Sequence, residues 1–369
     1  MKNLGFGLMR LPLLADGSGK IDIERVKKLA DRFLEEGFTY FDTAACYHSK
    51  ESEDAFRLAV AERYDRERYS ITDKLSLFML KAKEEIAPFF DAQLQRLGVD
   101  YLDVYLIHSL DRGAYKTATE WGAFEFVKAK LDEGKVKHIG FSFHDDAETL
   151  DMILTEHPEV EFVQLQINYI DWEDERVQSR RCYEVAVRHG KKVIVMEPVK
   201  GGSLVRISDN AKSALSEIDR GMSVASFAIR FAASLPNVVM VLSGMSNEEQ
   251  VEDNLSYMKE FKPFDEERMN SILKVAEDIK NEITVACTAC RYCVDYCPMK
   301  IAIPDYFTYY NSYNRFKSLS GRDRGFVKKL LEENGKPSDC IECGACEERC
   351  PQMLEIRKYL KDCARAFEK

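Results

Sequence analysis

The sequence predicts an α/β fold, a (β/α)8 TIM barrel followed by a small, mainly helical domain. Eight short apolar runs rich in β-branched residues recur along the first two thirds of the chain, and amphipathic stretches separate them. The pattern changes after Phe261, where KPFDEERM and its Pro263 mark a join. We therefore expect a barrel at residues 1–262 and a second domain at residues 263–369, which opens with a helix from about Asp265.

The apolar runs give the predicted strands in chain order. They are residues 4–9, 38–44, 69–74, 101–108, 136–142, 162–169, 192–198 and 238–244. Helical stretches such as IERVKKLADRFLEEG and APFFDAQLQRLG lie between them and end at glycines. Strand–helix alternation requires a parallel sheet with right-handed crossovers, and eight units have the size of a TIM barrel. A doubly wound sheet is the alternative, but LGFGLMR lacks the glycine-rich turn that such a sheet carries after its first strand.

Composition excludes several classes of protein. A net charge of -10 opposes binding to phosphate backbones, so nucleic acid is not an expected partner. No apolar run is long enough to cross a bilayer, and the first residues, MKNLGFGLMRLPLLADGSG, lack the features of a signal peptide. We expect a cytoplasmic protein with no membrane partner, in which reduced cysteines bind metal instead of forming disulfides.

Two cysteine runs near the end of the chain carry the most specific signal. CTACRYCVDYC at 287–297 and CIECGACEERC at 340–350 are each followed by proline, which gives the spacing C-x2-C-x2-C-x3-C-P twice. In this spacing the fourth cysteine binds the other cluster of a two-cluster protein. We assign Cys287, Cys290, Cys293 and Cys350 to one [4Fe-4S] cluster, and Cys340, Cys343, Cys346 and Cys297 to a second. Structural zinc is the alternative, although zinc sites usually present two separated C-x2-C pairs.

The tail resembles dicluster ferredoxin domains from about Cys287 to Pro351. The segment between its runs is longer than in compact small ferredoxins, and FVKKLLEENG with Gly335 as a stop predicts a helix there. We therefore expect a helix-rich, ferredoxin-like domain. The remaining Cys46, Cys182 and Cys363 are predicted to be packed thiols without a metal.

Polar residues follow the predicted strands at the edge where a TIM barrel places its active site. Asp42 ends the second strand, Lys74 the third and His108 the fourth, and Tyr47 lies shortly after Asp42. These residues and the motifs FDTAACY, ITDKL, YLIHS, IGFS, VQLQINY, EPVKGG and LSGMSNEEQVEDN resemble the aldo-keto reductase family over residues 4–255. Each residue alone would be read as a cap, a salt bridge or a pocket lining, and the catalytic interpretation depends on the set of four.

The resemblance implies the roles of these four residues. Tyr47 would supply a proton during carbonyl reduction, and a charged Lys74, held by Asp42, would lower the pKa of the phenol. His108 would orient the carbonyl oxygen.

The resemblance also implies contacts with a nicotinamide cofactor. Its carboxamide would bind Ser142, Gln164 and Asn168. Its phosphates would lie at two loops, whose residues are Lys200, Gly201, Gly202, Ser203, Ser243, Gly244, Met245, Gln250 and Asn254.

Two departures from the family pattern affect the cofactor. Met196, followed by Glu197, replaces the aromatic ring that often stacks on the nicotinamide, and the loop SNEEQVED has two glutamates where a 2'-phosphate would need a cation. NADH is therefore favoured over NADPH. Because a hydride carries two electrons and clusters pass single electrons, FMN in the barrel is the second hypothesis.

The sequence thus predicts an iron-sulfur oxidoreductase that interconverts a carbonyl and an alcohol, on a small-molecule substrate and with a redox partner such as a ferredoxin or flavoprotein. Three alternatives remain: a flavin-mediated electron-transfer enzyme, a nicotinamide enzyme with structural clusters, and a non-catalytic scaffold for a redox partner. The loop after His108, SLDRGAYKTATEWG, is the predicted contributor to substrate specificity, with Trp121 as a possible wall or a core residue.

Overall fold

The computed structural model describes residues 3–319 and 321–368, and these divide into two compact units. The first unit contains the chain up to Pro198 together with Gly221–Met269. The second contains Val199–Arg220 and the chain from Asn270 onward. The predicted domain ends at residues 1 and 369 lie outside the described residues.

The first unit is built on a closed barrel of eight parallel strands, which confirms the predicted fold class. The strands are β1 Leu4–Gly7, β2 Tyr40–Asp42, β3 Ser70–Leu75, β4 Leu102–Leu110, β5 Val136–Phe143, β6 Phe162–Gln166, β7 Lys192–Met196 and β8 Val238–Ser243. Each strand pairs with its neighbours in sequence, and β1 pairs with β8 to close the barrel. Every strand predicted from the sequence is present.

Several strands are shorter than their apolar runs, for local reasons. The chain leaves β1 at Gly7 and forms a 3-10 turn over Leu8–Arg10. It leaves β6 after Gln166 because the Asn168 side chain accepts the backbone N–H groups of Ile170 and Asp171, which makes a turn. It leaves β7 at Met196 because Glu197 adopts a left-handed conformation with φ of 56°.

Helices connect the strands and continue into the second unit. They are α1 Ile23–Glu35, α2 Ser52–Phe56, α3 Ile86–Leu97, α4 Arg112–Glu120, α5 Ala123–Asp132, α6 Ala147–Glu156, α7 Ser179–Arg188, α8 Asp209–Ile218, α9 Val224–Ala233, α10 Glu248–Met258, α11 Glu266–Glu282, α12 Ile303–Phe316, α13 Gly321–Glu333, α14 Ala345–Glu348 and α15 Ile356–Phe367. The two helices quoted from the sequence are confirmed as α1 and α3. Part of the predicted loop after His108 instead forms α4, because Asp111 caps it by accepting the Ala114 N–H.

Alternate residues of the strands fill the barrel interior, as the period of two in a strand requires. Side chains from five strands form one packed apolar cluster. Its members are Tyr40, Val104, Leu106, Phe162, Ile194, Met240 and Leu242. Because side chains fill the interior, the polar residues that end the strands lie at the C-terminal edge of a packed barrel, where a TIM barrel places its active site.

The second unit has a small core of its own to which cysteines contribute. The buried members are Val285, Cys293, Ile301, Ala302, Ile303, Tyr306, Phe307, Cys346, Leu354, Ile356, Leu360 and Cys363. The helix predicted from FVKKLLEENG is confirmed as part of α13, and beyond it the Gly335 N–H donates to the Lys300 carbonyl. Among the described residues, no helix combines the length and the apolar character needed to span a membrane.

Candidate active site and cluster-binding cysteines

A buried ion pair joins the ends of β2 and β3. Lys74 Nζ donates to Asp42 Oδ1 at 2.7 Å and to the Thr43 carbonyl at 2.7 Å. The other carboxylate oxygen of Asp42 accepts a hydrogen bond from Gln164 Nε2 at 3.1 Å. Burial acts to lower the pKa of Lys74, but the groups around it, Asp42 foremost, together outweigh burial and the pKa lies above its ordinary value. Lys74 is therefore a fixed cation at the barrel's C-terminal edge.

Tyr47 lies against this cation. Its ring centroid is 5.0 Å from Lys74 Nζ, and the side chain is buried. Burial raises the pKa of Tyr47 above its ordinary range. The Lys74 ammonium acts to lower the pKa, as expected from the sequence, but its effect is smaller than that of burial. Because burial is the larger effect, the phenol keeps its proton at neutral pH in this structure.

The turn that carries Tyr47 has an unusual backbone. His48, Ser49 and Lys50 have φ of 48°, 53° and 77°, which L-residues other than asparagine and aspartate seldom adopt. His48 stabilises the turn, because its Nε2 accepts a hydrogen bond from the Leu11 N–H at 2.9 Å. Strain of this kind persists where the surrounding contacts hold it, and these three residues directly follow Tyr47.

His108 completes the predicted set of four. Burial, followed by the nearby charges of Lys74 and His144, lowers the pKa of His108 well below its ordinary value, so its imidazole is neutral at neutral pH. Its Nδ1 lies 2.6 Å from Ser76 Oγ, and its ring centroid lies 6.1 Å from that of Tyr47, nearly perpendicular to it. The structure therefore brings Asp42, Tyr47, Lys74 and His108 together at one site.

Two further residues at this site were not predicted from the sequence. Ser76 contacts His108, and its position two residues after Lys74 is a signal that could have identified it. Phe78 packs its ring 5.3 Å from that of His108 and is 38% exposed, and nothing in the sequence around it indicates this contact. Trp121 follows α4 and is half-buried.

The predicted carboxamide contacts lie on neighbouring strands. Ser142 on β5 is in register with Gln164 on β6, and its Oγ accepts the Ser109 N–H at 2.7 Å. Asn168 instead belongs to the turn after β6, where its Nδ2 donates to Asp171 at 2.7 Å and to the Glu197 carbonyl at 3.1 Å. The structure thus groups Ser142 and Gln164 with the ion pair and gives Asn168 a turn-forming role.

The loop after β8 is built as a hydrogen-bonded unit. Asn254 Nδ2 donates to Ser243 Oγ at 2.6 Å, and Gln250 Oε1 accepts the Ser246 N–H at 2.7 Å. Gly244 lies against the Arg10 side chain, a cation that the sequence reasoning did not single out, and Met245 is buried.

One of the two glutamates of this loop already has a cationic partner. The Arg25 guanidinium donates to both carboxylate oxygens of Glu248, with a shortest contact of 2.6 Å. The carboxylate of Glu248 is thus paired across the surface with α1, and Glu249 follows it in the first turn of α10.

The loop after β7 belongs to the second compact unit. Lys200 is buried and its Nζ donates to Gln352 Oε1 at 3.1 Å, while Ser203 Oγ donates to the Lys200 carbonyl at 2.7 Å. Gly201 and Gly202 have φ of 62° and 86°. The side chain of Lys200 therefore contacts Gln352, which follows Cys350 by two residues in the same unit. A phosphate contact for this loop stays a prediction.

The eight cysteines of the two runs divide between two cavities in the second unit. The first cavity is lined by Cys287, Cys290, Cys293 and Cys350, and the second by Cys297, Cys340, Cys343 and Cys346. Among the described residues, no group of three or more His, Cys, Asp or Glu side chains converges on a single metal ion. These two cavities correspond to the two sets of four predicted from the spacing, with the last cysteine of each run exchanged.

Burial and neighbouring groups affect the pKa of the cysteines in both cavities. Burial, followed by neighbours that include Cys290, Cys287 and Cys350, raises the pKa of Cys293 above its ordinary range. Burial also raises the pKa of Cys346 to about 11, with smaller contributions from Cys340 and Cys297. Four thiols of the kind that iron-sulfur clusters use as ligands thus surround each cavity, and the donor set fits a cubane cluster.

The sequence profile of the aldo/keto reductase family matches residues 3–277, which is most of the chain. The chain belongs to the aldo/keto reductase family. A second profile, described as a 4Fe-4S dicluster domain, matches residues 286–354 and covers both cysteine runs.

Relatives and solved structures agree with this membership. A Mycobacterium sp. (strain MCS) aldo-keto reductase is 29% identical over 250 residues, which cover 66% of this chain and 81% of the relative. The holo form of an aldo-keto reductase from Bacillus halodurans has a TM-score of 0.59 at 22% identity and covers 74% of this chain and 91% of its own. A Klebsiella pneumoniae aldo-keto reductase in complex with NADPH has a TM-score of 0.58 at 19% identity, with coverages of 75% and 91%. The protein is an aldo/keto reductase-family oxidoreductase with a C-terminal dicluster domain.

Proposed function

We propose that the barrel interconverts a carbonyl and an alcohol on a small organic substrate, with Tyr47 as the proton donor, and that the second unit passes electrons through two [4Fe-4S] clusters. The observation that carries the barrel's part is the contact between a protonated phenol and a buried ammonium, with Lys74 Nζ 5.0 Å from the Tyr47 ring centroid. Packing alone has no need of a buried lysine at this position, since an apolar side chain of similar volume would fill it at lower cost.

Tyr47 is proposed to donate its proton to the carbonyl oxygen as the carbonyl carbon receives a hydride, so that the C=O double bond becomes a C–O–H group. The phenolate left behind would be stabilised by the Lys74 ammonium. Asp42 keeps that ammonium charged and in place through the 2.7 Å contact. Burial makes the phenol a weaker acid, and the Lys74 ammonium acts against burial by stabilising the phenolate.

His108 is proposed to orient the substrate. As a neutral imidazole whose Nδ1 contacts Ser76 Oγ at 2.6 Å, it has Nε2 available to hydrogen-bond the carbonyl oxygen beside Tyr47. Phe78, exposed and packed on His108, is proposed to form an apolar wall of the substrate site.

A bound reduced nicotinamide would supply the hydride. Ser142 and Gln164 are proposed to bind its carboxamide, and Ser243, Gly244, Met245, Gln250 and Asn254 its phosphate side. Gln164 would then join the cofactor to the ion pair, because its Nε2 donates to Asp42. Asn168 remains a weaker candidate, since its amide group is engaged in the turn after β6.

The chain is proposed to favour NADH. A 2'-phosphate at the loop after β8 would meet the carboxylates of Glu248 and Glu249, and Arg25 would first have to leave Glu248 to bind it. FMN in the barrel is the alternative cofactor, supported by Met196 at the position where a stacking ring is common in the family. A spectrum of the anaerobically purified protein, followed by titration with NADH, NADPH and FMN, separates these cofactors.

In the second unit, the two predicted cysteine sets are proposed as the ligands. Bound clusters would accept and release single electrons, and a ferredoxin or flavoprotein is the proposed partner.

One set of experiments tests the whole proposal. Iron and sulfide are quantified on the full chain purified anaerobically, and small aldehydes and ketones are then screened with NADH for alcohol formation. Eight irons per chain and turnover that depends on Tyr47 are expected. Because NADH supplies both electrons in this assay, the electron-transfer part is tested separately with a reduced ferredoxin in place of NADH, and failure of that ferredoxin to reduce the clusters would refute this part and leave the barrel's part standing. Iron without turnover or cofactor binding would instead favour the scaffold.

A further inference from the structure

Two carboxyl groups meet in the protein interior beside Lys74. Asp73 precedes Lys74 on β3, Glu53 belongs to α2, and both side chains are 0% exposed. We call Asp73 and Glu53 the carboxyl pair. Burial, followed by the negative charge of Glu53 and a hydrogen bond between the two carboxyl groups, raises the pKa of Asp73 well above its ordinary value. Such a hydrogen bond needs a proton on one of the two groups, because ionised carboxylates only accept.

Charged and titratable groups surround the carboxyl pair. Arg96 of α3 donates from Nε to Glu53 and so offsets one of the two carboxylates, and Asp54 of α2 adds a negative charge near Arg96. Lys74 points to the opposite face of β3, where its ammonium is paired with the carboxylate at the end of β2. Burial raises the pKa of Tyr105 on β4 well above its ordinary value, so this phenol is neutral. A proton shared by the carboxyl pair would offset the second carboxylate.

β3 continues past the end of its neighbour β2. β2 ends at Asp42, which is opposite Thr72, and β3 runs on through Lys74. The Thr72 carbonyl accepts the Thr43 N–H on the β2 side. Residues two apart in a strand turn their backbone groups to the same side, so the N–H and carbonyl of Lys74 face the place where a longer β2 would have paired. Because buried backbone groups need partners, side chains must replace the missing strand at Lys74.

Asp73 and Gln93 supply these partners. Asp73 Oδ1 accepts the Lys74 N–H at 2.8 Å, and Gln93 Nε2 donates to the Lys74 carbonyl at 3.0 Å. Gln93 Nε2 also donates to Asp73 Oδ2 at 2.8 Å and lies 3.3 Å from Glu53 Oε1. Its Oε1 accepts the Tyr105 hydroxyl at 2.6 Å. The carboxyl pair and the backbone of Lys74 thus belong to one hydrogen-bonded network.

We propose that Asp73 and Glu53 share one proton in the folded protein at neutral pH, and that this protonated pair, together with Gln93, positions Lys74 for the reaction in the barrel. The three side chains act through Lys74 and do not touch the substrate, so they are positioning residues. Loss of the shared proton would break the hydrogen bond between the carboxyl groups and place a second buried negative charge behind Lys74. The positioning role rests on the proposed function of Lys74, whereas the shared proton does not depend on the reaction.

The shared proton is tested by urea denaturation of the full-length chain between about pH 5 and 7, followed by tryptophan fluorescence. In the unfolded chain both carboxyl groups are ionised in this range, since their ordinary pKa is about 4, so unfolding releases the proton that the folded pair holds. Stability therefore falls as the pH rises. Asp73→Asn has no such proton, but its amide still offers an acceptor to the Lys74 N–H and a donor to Glu53.

The ratio of the wild-type unfolding constant to that of Asp73→Asn is expected to rise about tenfold per pH unit. The His144 proton is bound in both proteins and cancels from this ratio. Asp132→Asn is the control, because Asp132 pairs with Lys128 and its side chain is 66% exposed, and it must keep the wild-type dependence on pH. The same dependence in wild type and Asp73→Asn would overturn the proposal.

The positioning role is tested by steady-state kinetics with NADH and a carbonyl substrate. Asp73→Leu removes the acceptor of the Lys74 N–H, so kcat is expected to fall about tenfold or more while KM for NADH stays near wild type. Asp73→Asn is expected to keep kcat within about threefold of wild type, because a neutral amide replaces a neutral acid. Equal losses in the two variants, or an unchanged kcat in Asp73→Leu, would refute the positioning role.

A second variant covers the case in which Asp73→Leu does not accumulate as a folded protein. Gln93→Met removes the donor to the Lys74 carbonyl and leaves both carboxyl groups in place, so it must lower kcat in the same way, and an unchanged kcat would refute the positioning role. Wild-type protein that reduces no carbonyl would refute the proposed function of the barrel. The dependence of unfolding on pH would still decide whether the carboxyl pair shares a proton.

Discussion

Lys74 Nζ and Asp42 Oδ1 lie 2.7 Å apart in a pair whose side chains are 0% and 4% exposed. Removal of one partner leaves an uncompensated buried charge. Lys74→Met is therefore predicted to lower the free energy of unfolding of the barrel by about 3–5 kcal/mol, and the double variant Lys74→Met/Asp42→Leu to recover much of that loss. Urea denaturation followed by tryptophan fluorescence measures this in the first unit, because both tryptophans of the chain, Trp121 and Trp172, belong to it.

The pair of Arg63 and Asp31 is the control, since it joins a cation and a carboxylate at the same distance of 2.7 Å but with each side chain 31% exposed. Arg63→Met is expected to cost less than about 1 kcal/mol. A double variant at Lys74 and Asp42 no more stable than Lys74→Met alone would contradict the explanation by an unpaired charge.

Tyr47→Phe removes one oxygen atom and leaves the ring in place. If the phenol is the proton donor, kcat for carbonyl reduction should fall by about 10²–10⁴-fold while iron content and KM for NADH stay near wild type. Tyr64→Phe is the control, because the Tyr64 hydroxyl binds Asp31 on the barrel's outer surface, away from the predicted site residues. Steady-state kinetics on the same carbonyl substrate compare the two, and a loss of less than about threefold in Tyr47→Phe would exclude the proposed role.

His144 is predicted to make the stability of the barrel depend on pH. Burial lowers the pKa of His144 to about 4, with Asp111 acting in the opposite direction. The unfolded chain binds this proton at a pKa of about 6.5, so between pH 6.5 and about 4 the unfolded state holds more protons and stability falls as the pH falls. By pH 5 this effect should reach about 2 kcal/mol relative to pH 7, and His144→Gln should lack it. Urea denaturation at both pH values measures the difference, and equal losses in both proteins would contradict the assignment.

Much of the barrel could be predicted from the sequence because its signals are local. Each strand is a short apolar run, and the residues that end β2, β3 and β4 point to Asp42, Lys74 and His108 once the barrel is assumed. The exact strand ends could not be predicted, since they depend on turns such as the one closed by Asn168. The pKa of Tyr47 depends on burial, which is a property of the folded chain, and the sequence reasoning considered only the effect of Lys74.

The contacts that the loop after β7 makes with distant parts of the chain could not be predicted from the sequence. Its order in the chain places Lys200 after a barrel strand, which predicts a phosphate contact. Its partners, Thr288 and Gln352, lie about 90 and 150 residues further along, and the close approach at Gly201 involves a backbone atom that no sequence motif identifies. The exchange of Cys297 and Cys350 could be predicted, because the spacing of the run itself implies it.

The contact between Gly201 and Thr288 predicts unequal effects of two neighbouring alanine substitutions. Gly201 and Gly202 both have positive φ, so either substitution costs about 1–2 kcal/mol of backbone strain. Only Gly201→Ala also places a Cβ 2.0 Å from the Thr288 carbonyl oxygen, since Gly202 has nothing within 4 Å. Gly201→Ala is therefore expected to lose iron from the first cluster, and Gly202→Ala to retain it. Iron per chain after anaerobic purification measures this. Equal losses of iron in the two variants would show that the contact between Gly201 and Thr288 is not needed to hold the cluster.

The exchange of cysteines between the two runs predicts which cluster each substitution disturbs. Cys350 lines the cavity of Cys287, Cys290 and Cys293, although it belongs to the other run. Cys350→Ser should therefore alter the paramagnetic signal that Cys287→Ser also alters, and Cys297→Ser should alter the other signal. Cys182→Ser is the control, because Cys182 is buried in the barrel unit with its Sγ 3.7 Å from the Asp145 carbonyl and should leave both signals intact. If Cys350→Ser instead affected the signal shared with Cys340→Ser, each run would bind its own cluster.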